Sequence, residues 1–472
     1  YIVGWVCNFQ AIFMVLPCIT ALVYQEHEFF AFLISMILCL IVGIPLTARK
    51  PKNKVFYTKD GCVAVALSWL ALCIFGSVPF VLSNSIPHPI DAFFETVSGF
   101  TTTGASILSD VEALSHCMLI WRSFTHWIGG MGVLVFILCL LPLTGGYHMN
   151  LMKAESPGPS VSKLVPKVQS TAKILYTIYI ILTIVEIIFL LIGKMPLFDT
   201  LCLSFGTAGT GGFGIKNDSI ASYSTYNQVV ITVFMILFGI NFNAYYLLLT
   251  KKVMQAAKNE EVRYYLGIIG LAIVAIAINT REMFTSFGRA FQQAAFQVGS
   301  IITTTGYATT DFNVWPVFSK TILVILMFVG ACAGSTGGGI KVSRLLILCK
   351  SARKELQLYL HPNAVKKIKM DDKAIPHEVV RATNMFLFVY IMIFVTSLLI
   401  ISLDNLDMVS NFTAIAATLN NIGPGLGAVG PTGNFNTYSY ISKAVMIFDM
   451  LAGRLEVFPL LLLFKRDTWR KF

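Results

Sequence analysis

Charge is scarce in this chain. Asp, Glu, Lys and Arg make up 12% of its 472 residues, about half the share that soluble domains carry. Against that stand 56% hydrophobic residues, 36 of them Phe, and a mean hydropathy of +0.73. The balance excludes a soluble enzyme and a disordered chain. It also excludes a nucleic-acid binder, despite a formal charge of +11 from 35 Lys+Arg and 24 Asp+Glu. A C-x-x-C pair is missing: Cys7, Cys18, Cys39, Cys62, Cys73, Cys117, Cys139, Cys202, Cys332 and Cys349 lie scattered, mostly in apolar runs, and read as small hydrophobes rather than a disulfide framework. The seven histidines form no H-E-x-x-H or other metal spacing. No phosphate-binding G-x-x-x-x-G-K-[ST] and no strand-bracketed G-x-G-x-x-G occurs, so no nucleotide site and no organic cofactor are expected. Clustered carboxylates or histidines, which an intramembrane transferase would need, are lacking, and so is the soluble domain of a receptor. The chain starts at Tyr1 rather than Met, and its first apolar run has no small-residue cleavage pattern. That run reads as a helix, not a signal peptide.

What remains is a sequence built to live in a bilayer. A spanning helix needs about 20 apolar residues at ~1.5 Å rise each. Ten segments meet that length: 1–24, 29–48, 61–83, 117–144, 171–194, 226–250, 261–280, 319–349, 379–403 and 440–464. Basic residues collect on one side of them. Arg49, Lys50, Lys52, Lys54 and Lys59 follow the second span; Lys153, Lys163, Lys167 and Lys173 follow the fourth; Lys251, Lys252, Lys258 and Arg263 follow the sixth. Ten more run from Lys341 to Arg381, and Lys465, Arg466, Arg470 and Lys471 end the chain, which makes 27 of 35 on one face. The positive-inside rule makes that face cytoplasmic and puts both termini inside.

The opposite face carries apolar connections broken by glycine and threonine, at 90–108, 197–215, 287–312 and 408–430. Each is too short to cross twice and too apolar for an exposed loop, so a short helix that enters and returns as extended chain fits them. Aligned on one glycine they read Thr102-Thr103-Gly104-Ala105, Gly209-Thr210-Gly211-Gly212, Thr304-Thr305-Gly306-Tyr307 and Asn421-Ile422-Gly423-Pro424, with intervals of 107, 95 and 117 residues. Phe94 and Phe296 precede the first and third glycine by ten. The period is one span, one re-entrant segment and one span. The expected fold is therefore an all-α polytopic membrane protein of four span–pore helix–span repeats, arranged pseudo-fourfold around a pore, with an extra N-terminal helical pair. The boundaries are 1–60 for the pair and 61–170, 171–260, 261–378 and 379–472 for the repeats.

Irregular backbone survives at membrane depth only where protein buries it or where it lines a wet cavity. Four such loops entering from one side imply a shared cavity rather than glycines that merely ease helix packing. Glycine lets carbonyls point inward, and rings of carbonyls replace the hydration shell of a monovalent cation, as T-V-G-Y-G loops do in potassium channels. Thr304-Thr305-Gly306-Tyr307-Ala308 comes nearest to that pattern. Short helices that turn their C-terminal dipole ends toward the cavity favour a cation.

With these residues in view, the chain resembles the Trk/Ktr/HKT superfamily of potassium transporters, whose single chain folds like a tetrameric potassium channel. Further stretches carry the resemblance: the run Trp121 to Gly132, Gly239-Ile240-Asn241-Phe242 (the G-x-N-F pattern) and Asn421-Ile422-Gly423-Pro424-Gly425-Leu426-Gly427. The last of these, the helical pair at 1–48 and Lys153-Ala154-Glu155-Ser156-Pro157-Gly158-Pro159 resemble the TrkH branch rather than KtrB. The resemblance spans essentially the whole chain. It implies uptake of potassium, as transported ion, across the bacterial inner membrane through a gated pore. The filter would comprise Thr102, Thr103, Gly104, Gly209, Thr210, Gly211, Thr304, Thr305, Gly306, Asn421, Ile422 and Gly423. It also implies a homodimer and a cytosolic nucleotide-binding TrkA-like regulatory subunit. The basic cytoplasmic links offer that subunit a docking face, and would equally bind anionic lipid. The fourth loop departs by replacing Thr-Gly with Ile-Gly, which predicts selectivity less strict than in a true tetramer.

Two features are expected inside the conduction path. The eighth span meets Gly330-Ala331-Cys332-Ala333-Gly334-Ser335-Thr336-Gly337-Gly338-Gly339; glycine costs about 1 kcal/mol per helical position relative to Ala, so five in ten unwind the helix. The resemblance makes Gly334, Ser335, Thr336, Gly337, Gly338 and Gly339 a gating loop beneath the filter. Arg454 lies near mid-membrane, with Met450, Leu451, Val457 and Phe458 as helical neighbours. An unpaired guanidinium there is costly. It must either reach a carboxylate elsewhere, with Glu95 as candidate, or face the pore as a barrier to cations, the role the resemblance implies. Arg122 and Glu186 read as structural, and Asp449 and Glu456 as contacts to other helices. The competing mechanism is symport coupled to protons or sodium. It needs a carboxylate in the path, for which Glu95, Glu186 and Asp449 are the candidates.

Overall fold

The computed structural model describes residues 1–49, 57–132, 168–363, 367–455 and 457–469. Several sequence features lie outside the described residues: Lys50, Lys52, Lys54, Cys139, Lys153, Lys163, Lys167, Lys366, Glu456, Arg470 and Lys471, the Lys153 to Pro159 stretch and positions 133–144 of the fourth span. The described chain is helical apart from one two-stranded hairpin, in which Lys369–Met370 pairs antiparallel with Lys373–Ala374. The two residues of its turn, Asp371 and Asp372, both have positive φ, as the tightest hairpin turns require.

Four units of helix, short helix and helix follow one another as the repeat predicted. Their first helices are Thr58–Leu82, Val168–Ile192, Glu260–Asn279 and His377–Ile401, each 20 to 25 residues long, enough for ~30 Å of hydrocarbon. The short helices, Pro89–Phe100, Leu197–Gly209, Phe287–Ile302 and Met408–Leu419, hold 12 to 16 residues and cannot cross. Their starts are set by local chemistry. Pro89 takes the first helical position, where its missing N–H is no loss. Ser286 and Asp407 accept N–H bonds from the first turns of the third and fourth.

Among the closing helices, the second departs from the sequence expectation of an unbroken span. The segment 226–250 divides into Thr225–Phe238 and Phe242–Leu249, bent by 90°. The cause is Asn241, whose side chain accepts from the Asn243 N–H at 2.9 Å and so starts a new helix. The segment 319–349 divides at the glycine run into Val317–Val329 and Val342–Leu360, as its composition predicted. Among the described residues six helices are long and apolar enough to cross a membrane, Ile2–Phe13 and Val15–Tyr24 counting together as one, or seven with the bent pair.

The N-terminal pair, Ile2–Phe13 with Val15–Tyr24 and then Phe29–Ala48, packs closely through small residues. A Cβ on Gly4 would lie 2.6 Å from the Leu46 Cβ, the kind of approach that drives helix association where lipid supplies no hydrophobic force. The Gln10 amide donates to the Leu72 carbonyl at 2.8 Å and fixes the pair to the first repeat. Burial follows the membrane rather than water. Leu271, Leu399 and Ile41 are exposed outward, whereas Thr101, Thr102, Thr103, Thr303, Thr304 and Thr305 are buried.

Candidate ion-conduction site

All four short helices end in the same way. The residue after the last turn adopts a left-handed conformation: Thr102 (φ 56°), Thr210 (54°), Thr304 (59°) and Asn421 (55°). The next N–H then reaches back five residues: Thr103 to Ser98 at 2.9 Å, Gly211 to Gly206 at 2.9 Å, Thr305 to Ser300 at 2.8 Å and Ile422 to Ala417 at 2.8 Å. This is the six-to-one bond of a Schellman cap, which satisfies a helix-end carbonyl. The following residue is a glycine with positive φ in every loop: Gly104 (77°), Gly212 (78°), Gly306 (87°) and Gly423 (97°). The second loop therefore runs one residue out of the register read from sequence. Gly212 rather than Gly211 is the counterpart of Gly104, Gly211 is the counterpart of Thr103, and Gly209 is the last residue of its helix. The sequence Gly-Thr-Gly-Gly offers two glycines, and only the backbone angle chooses between them.

These glycines close a ring. A Cβ on Gly104 would strike the carbonyl oxygen of Gly211, one on Gly212 that of Thr305, and one on Gly306 that of Ile422. One on Gly423 would come within 2.7 Å of the Thr103 carbonyl oxygen. Each loop thus lies against the next, first to second to third to fourth and back to first, with the four counterpart carbonyls of Thr103, Gly211, Thr305 and Ile422 at one level. All four glycines line a single cavity of about 170 Å³.

The ring is braced from behind by side chains whose contacts the sequence pattern did not give. His126 holds the first two loops together: its Nδ1 lies 2.8 Å from the Gly99 carbonyl, and its Nε2 accepts from the Phe213 N–H at 3.2 Å. Those partners fix the neutral tautomer with the proton on Nδ1. The Tyr307 hydroxyl donates to Leu203 of the second pore helix at 3.2 Å. The Asn421 amide donates to Thr103 Oγ1 and to the Met450 carbonyl, both at 2.9 Å, and joins the fourth loop to the first. Lys443, on the helix Tyr440–Leu455 that closes the fourth unit, pairs with Asp91 of the first short helix at 2.7 Å and closes the ring.

Glu95 is paired with Arg122, not with Arg454. Arg122 donates to Glu95 Oε1 from Nε at 2.9 Å and from Nη2 at 2.7 Å, and its guanidinium lies 4.1 Å from the centre of the Phe213 ring. The carboxylate also accepts from Ser106 and the Ile107 N–H. Arg122 thereby fits the structural role read for it, and Glu95 is already fully engaged.

Below the ring the glycine run forms an irregular loop over 330–341. Its Gly338 N–H donates to Thr304 Oγ1 at 2.6 Å, and a Cβ on Gly338 would lie 2.6 Å from the Asn420 carbonyl oxygen. The loop therefore sits under the third and fourth of the returning loops. Gly129 and Gly130 sit under the first two: a Cβ on Gly129 would strike the Phe100 carbonyl, and one on Gly130 would lie 2.6 Å from the Gly209 Cα. Arg454 spans the two halves. Its Nη1 donates to the Thr336 carbonyl at 2.8 Å, and its Nη2 donates to the Gly130 carbonyl at 2.6 Å and to that of Gly129. Backbone carbonyls, and not Glu95, meet Arg454 here. Lys341, buried and at φ 80°, donates its Nζ to the Gly337 carbonyl within the same loop.

The profile of the TrkH family, described as a cation transport protein, matches residues 27–470. The Trk system potassium uptake protein TrkH of Salmonella typhimurium is 36% identical over 466 residues, covering 97% of this chain and 96% of that protein. The Trk system potassium uptake protein TrkG of Escherichia coli K12 is 32% identical over 479 residues, covering 99% and 97%. The crystal structure of the potassium transporter TrkH from Vibrio parahaemolyticus superposes with a TM-score of 0.89 at 33% identity, covering 99% of this chain and 98% of that one. With a membrane-embedded ring of four re-entrant loops and similarity over nearly its whole length, this chain is a transporter rather than an enzyme and belongs to the TrkH family of cation transport proteins.

Proposed function

We propose that the chain takes up potassium across the bacterial inner membrane through a gated, cation-selective pore. The observation that carries this reading is the closed ring of positive-φ glycines against neighbouring carbonyls. Such a ring offers oxygen dipoles at one level to an ion that has shed its water. The filter is formed by Thr102, Thr103, Gly104, Thr210, Gly211, Gly212, Thr304, Thr305, Gly306, Asn421, Ile422 and Gly423, with Gly209 closing the second pore helix. The loop holding Gly334, Ser335, Thr336, Gly337, Gly338 and Gly339 obstructs the path beneath it, and Arg454 places a positive charge there. Control comes from a cytosolic nucleotide-binding subunit of the TrkA kind, docked on the basic face that carries Lys251, Lys252, Lys258 and Arg263. The transporter works as a homodimer, with both termini cytoplasmic.

Symport is the second reading, because Asp449 is fully buried and its Oδ2 has no hydrogen-bond partner among the described residues, while Oδ1 accepts from Ser397 at 2.8 Å. Flux into reconstituted vesicles tests both. Potassium and rubidium are expected to enter well ahead of sodium and lithium, with current reversing at the potassium equilibrium potential. Equal entry of all four ions removes the filter reading. Reversal that follows the proton or sodium gradient instead establishes coupling.

A further inference from the structure

We propose that Glu261 is a positioning residue that fastens both feet of the intramembrane loop, and that the cytoplasmic hairpin holds Glu261 in place through Asp371. The proposal rests on the reading of that loop as the gate, and adds how the gate is held shut and from where it can be released.

Glu261 is the second residue of the helix Glu260–Asn279, yet it is only 5% exposed. Its Oε1 accepts from the Ala333 N–H at 2.6 Å and from the Ser343 N–H at 3.1 Å. These two donors stand ten residues apart, one where the loop begins and one in the first turn of the helix that follows it. A single oxygen thus draws together the entry and the exit of the unwound segment. Unwound backbone has donors that no helix satisfies, and the Ser343 N–H belongs to a helix start, where a carboxylate is favoured by the dipole. Oε2 accepts from the Asn241 amide at 3.4 Å. Asn241 is the residue that bends the neighbouring closing helix, and the Phe242 N–H after it donates to the Gly334 carbonyl at 3.0 Å.

The start of the Glu261 helix is anchored from the cytoplasmic side. Asp371, in the hairpin turn, accepts from the Glu260 N–H at 2.7 Å and from the Asn259 amide at 3.2 Å. Lys350 pairs with Glu260 at 2.5 Å and donates to the Lys369 carbonyl at 2.8 Å. Hairpin, helix start and the helix after the loop are cross-linked by charged groups at the membrane face. From there an unbroken series of bonds runs through Glu261 to Ala333, and through the loop to Thr304 in the filter and to Arg454. A partner that pulls on the hairpin would therefore act on the loop without touching it.

The test compares Glu261→Ala, Glu261→Gln, Asp371→Ala and a chain shortened within 334–339. Rubidium flux into vesicles is read alongside the rate at which Cys332, buried in the loop, reacts with a membrane-permeant maleimide, followed by peptide mass spectrometry. Loss of a charge-assisted clasp predicts flux about tenfold above the parent in Glu261→Ala, with faster Cys332 labelling. Glu261→Gln, which keeps the oxygen but not the charge, falls between, and Asp371→Ala moves both readouts the same way by less. Parental flux and labelling in folded Glu261→Ala and Glu261→Gln overturn the clasp, and the same result in Asp371→Ala overturns the role of the hairpin. Should Glu261→Ala not fold, Glu261→Gln and the exposed Asp371→Ala decide. Raised flux in the shortened chain alone leaves the gate standing and sinks the clasp. Raised labelling without raised flux in any variant, the shortened chain included, keeps the clasp and sinks the gate.

Discussion

A methyl group at Gly104, Gly212 or Gly306 has nowhere to go, because the carbonyl oxygen of the next loop already occupies the space and the backbone is left-handed. The left-handed angle alone costs an L-residue roughly 1–2 kcal/mol, and the displaced carbonyl is one of those that would hold the ion. Alanine at each of the three should cost potassium over sodium discrimination or at least about tenfold in flux. An unchanged ion preference in all three would remove these glycines from the filter. Ile422 replaces a hydroxyl-bearing side chain but still presents its carbonyl to the ring. The loss is felt in side-chain bonding: Thr101 bonds Thr103 and Thr303 bonds Thr305, so the first and third loops match each other better than the second and fourth.

Arg454 combines two effects at one residue. As a charge it repels cations by about 3 kcal/mol at ~6 Å and an effective ε of ~20, less where water screens it. As a donor it joins the 330–341 loop to the end of the helix His116–Gly130, and hydrogen bonds to charged groups are worth roughly 1.5–3 kcal/mol. Arg454→Ala should raise potassium flux by tenfold or more while lowering the melting temperature. Arg454→Lys separates the effects: flux near the parent assigns the block to charge, and flux like the alanine variant assigns it to the bridge.

At the scale of elements, the decisive features are breaks. Glycine at 330, 334 and 339 takes positive φ, so the loop cannot be replaced by a continuous helix without strain. Its irregular backbone finds partners on neighbouring segments: the Cys332 N–H on the Gly239 carbonyl, the Val342 N–H on the Ala331 carbonyl and the Ala333 N–H on Glu261. Removing part of 334–339 should increase flux and leave the order of ions unchanged, since the ring lies above it. A shortened chain that folds but conducts no more than the parent would make the loop a structural strut. The elbow at Asn241 belongs to the same design, because the chain on either side of it supplies three of the loop's partners, Phe238, Gly239 and Phe242.

On the scale of the whole molecule, a single chain must close a ring that a tetramer closes by symmetry. The buried Asp91–Lys443 pair does this between the first short helix and the helix Tyr440–Leu455, and Asn421 does it at the filter itself. A buried ion pair adds little net stability over a packed apolar contact, but it fixes which helices meet. The extra N-terminal pair is attached through Glu26, whose carboxylate accepts from the N–H groups of His116 at 2.6 Å and Cys117 at 2.9 Å. Partial burial raises its pKa, yet these bonds outweigh that effect and hold the carboxyl below its usual range.

The sequence by itself determined the membrane setting, the four repeats, the re-entrant segments and the broken eighth span. These follow from run lengths of apolar residues and from glycine content, which are local properties. It put the left-handed glycine at the right position in three of the returning loops and misplaced the second by one, because Gly211 and Gly212 look alike until φ is known. Tertiary structure alone decided the partners. Which carboxylate answers Arg122, that Arg454 is met by carbonyls, that His126 braces two loops and that Glu261 reaches across to Ala333 and Ser343 all depend on helices far apart in sequence. A hydrogen bond at 3 Å is set by where two helices cross, and no local pattern along either helix records that crossing.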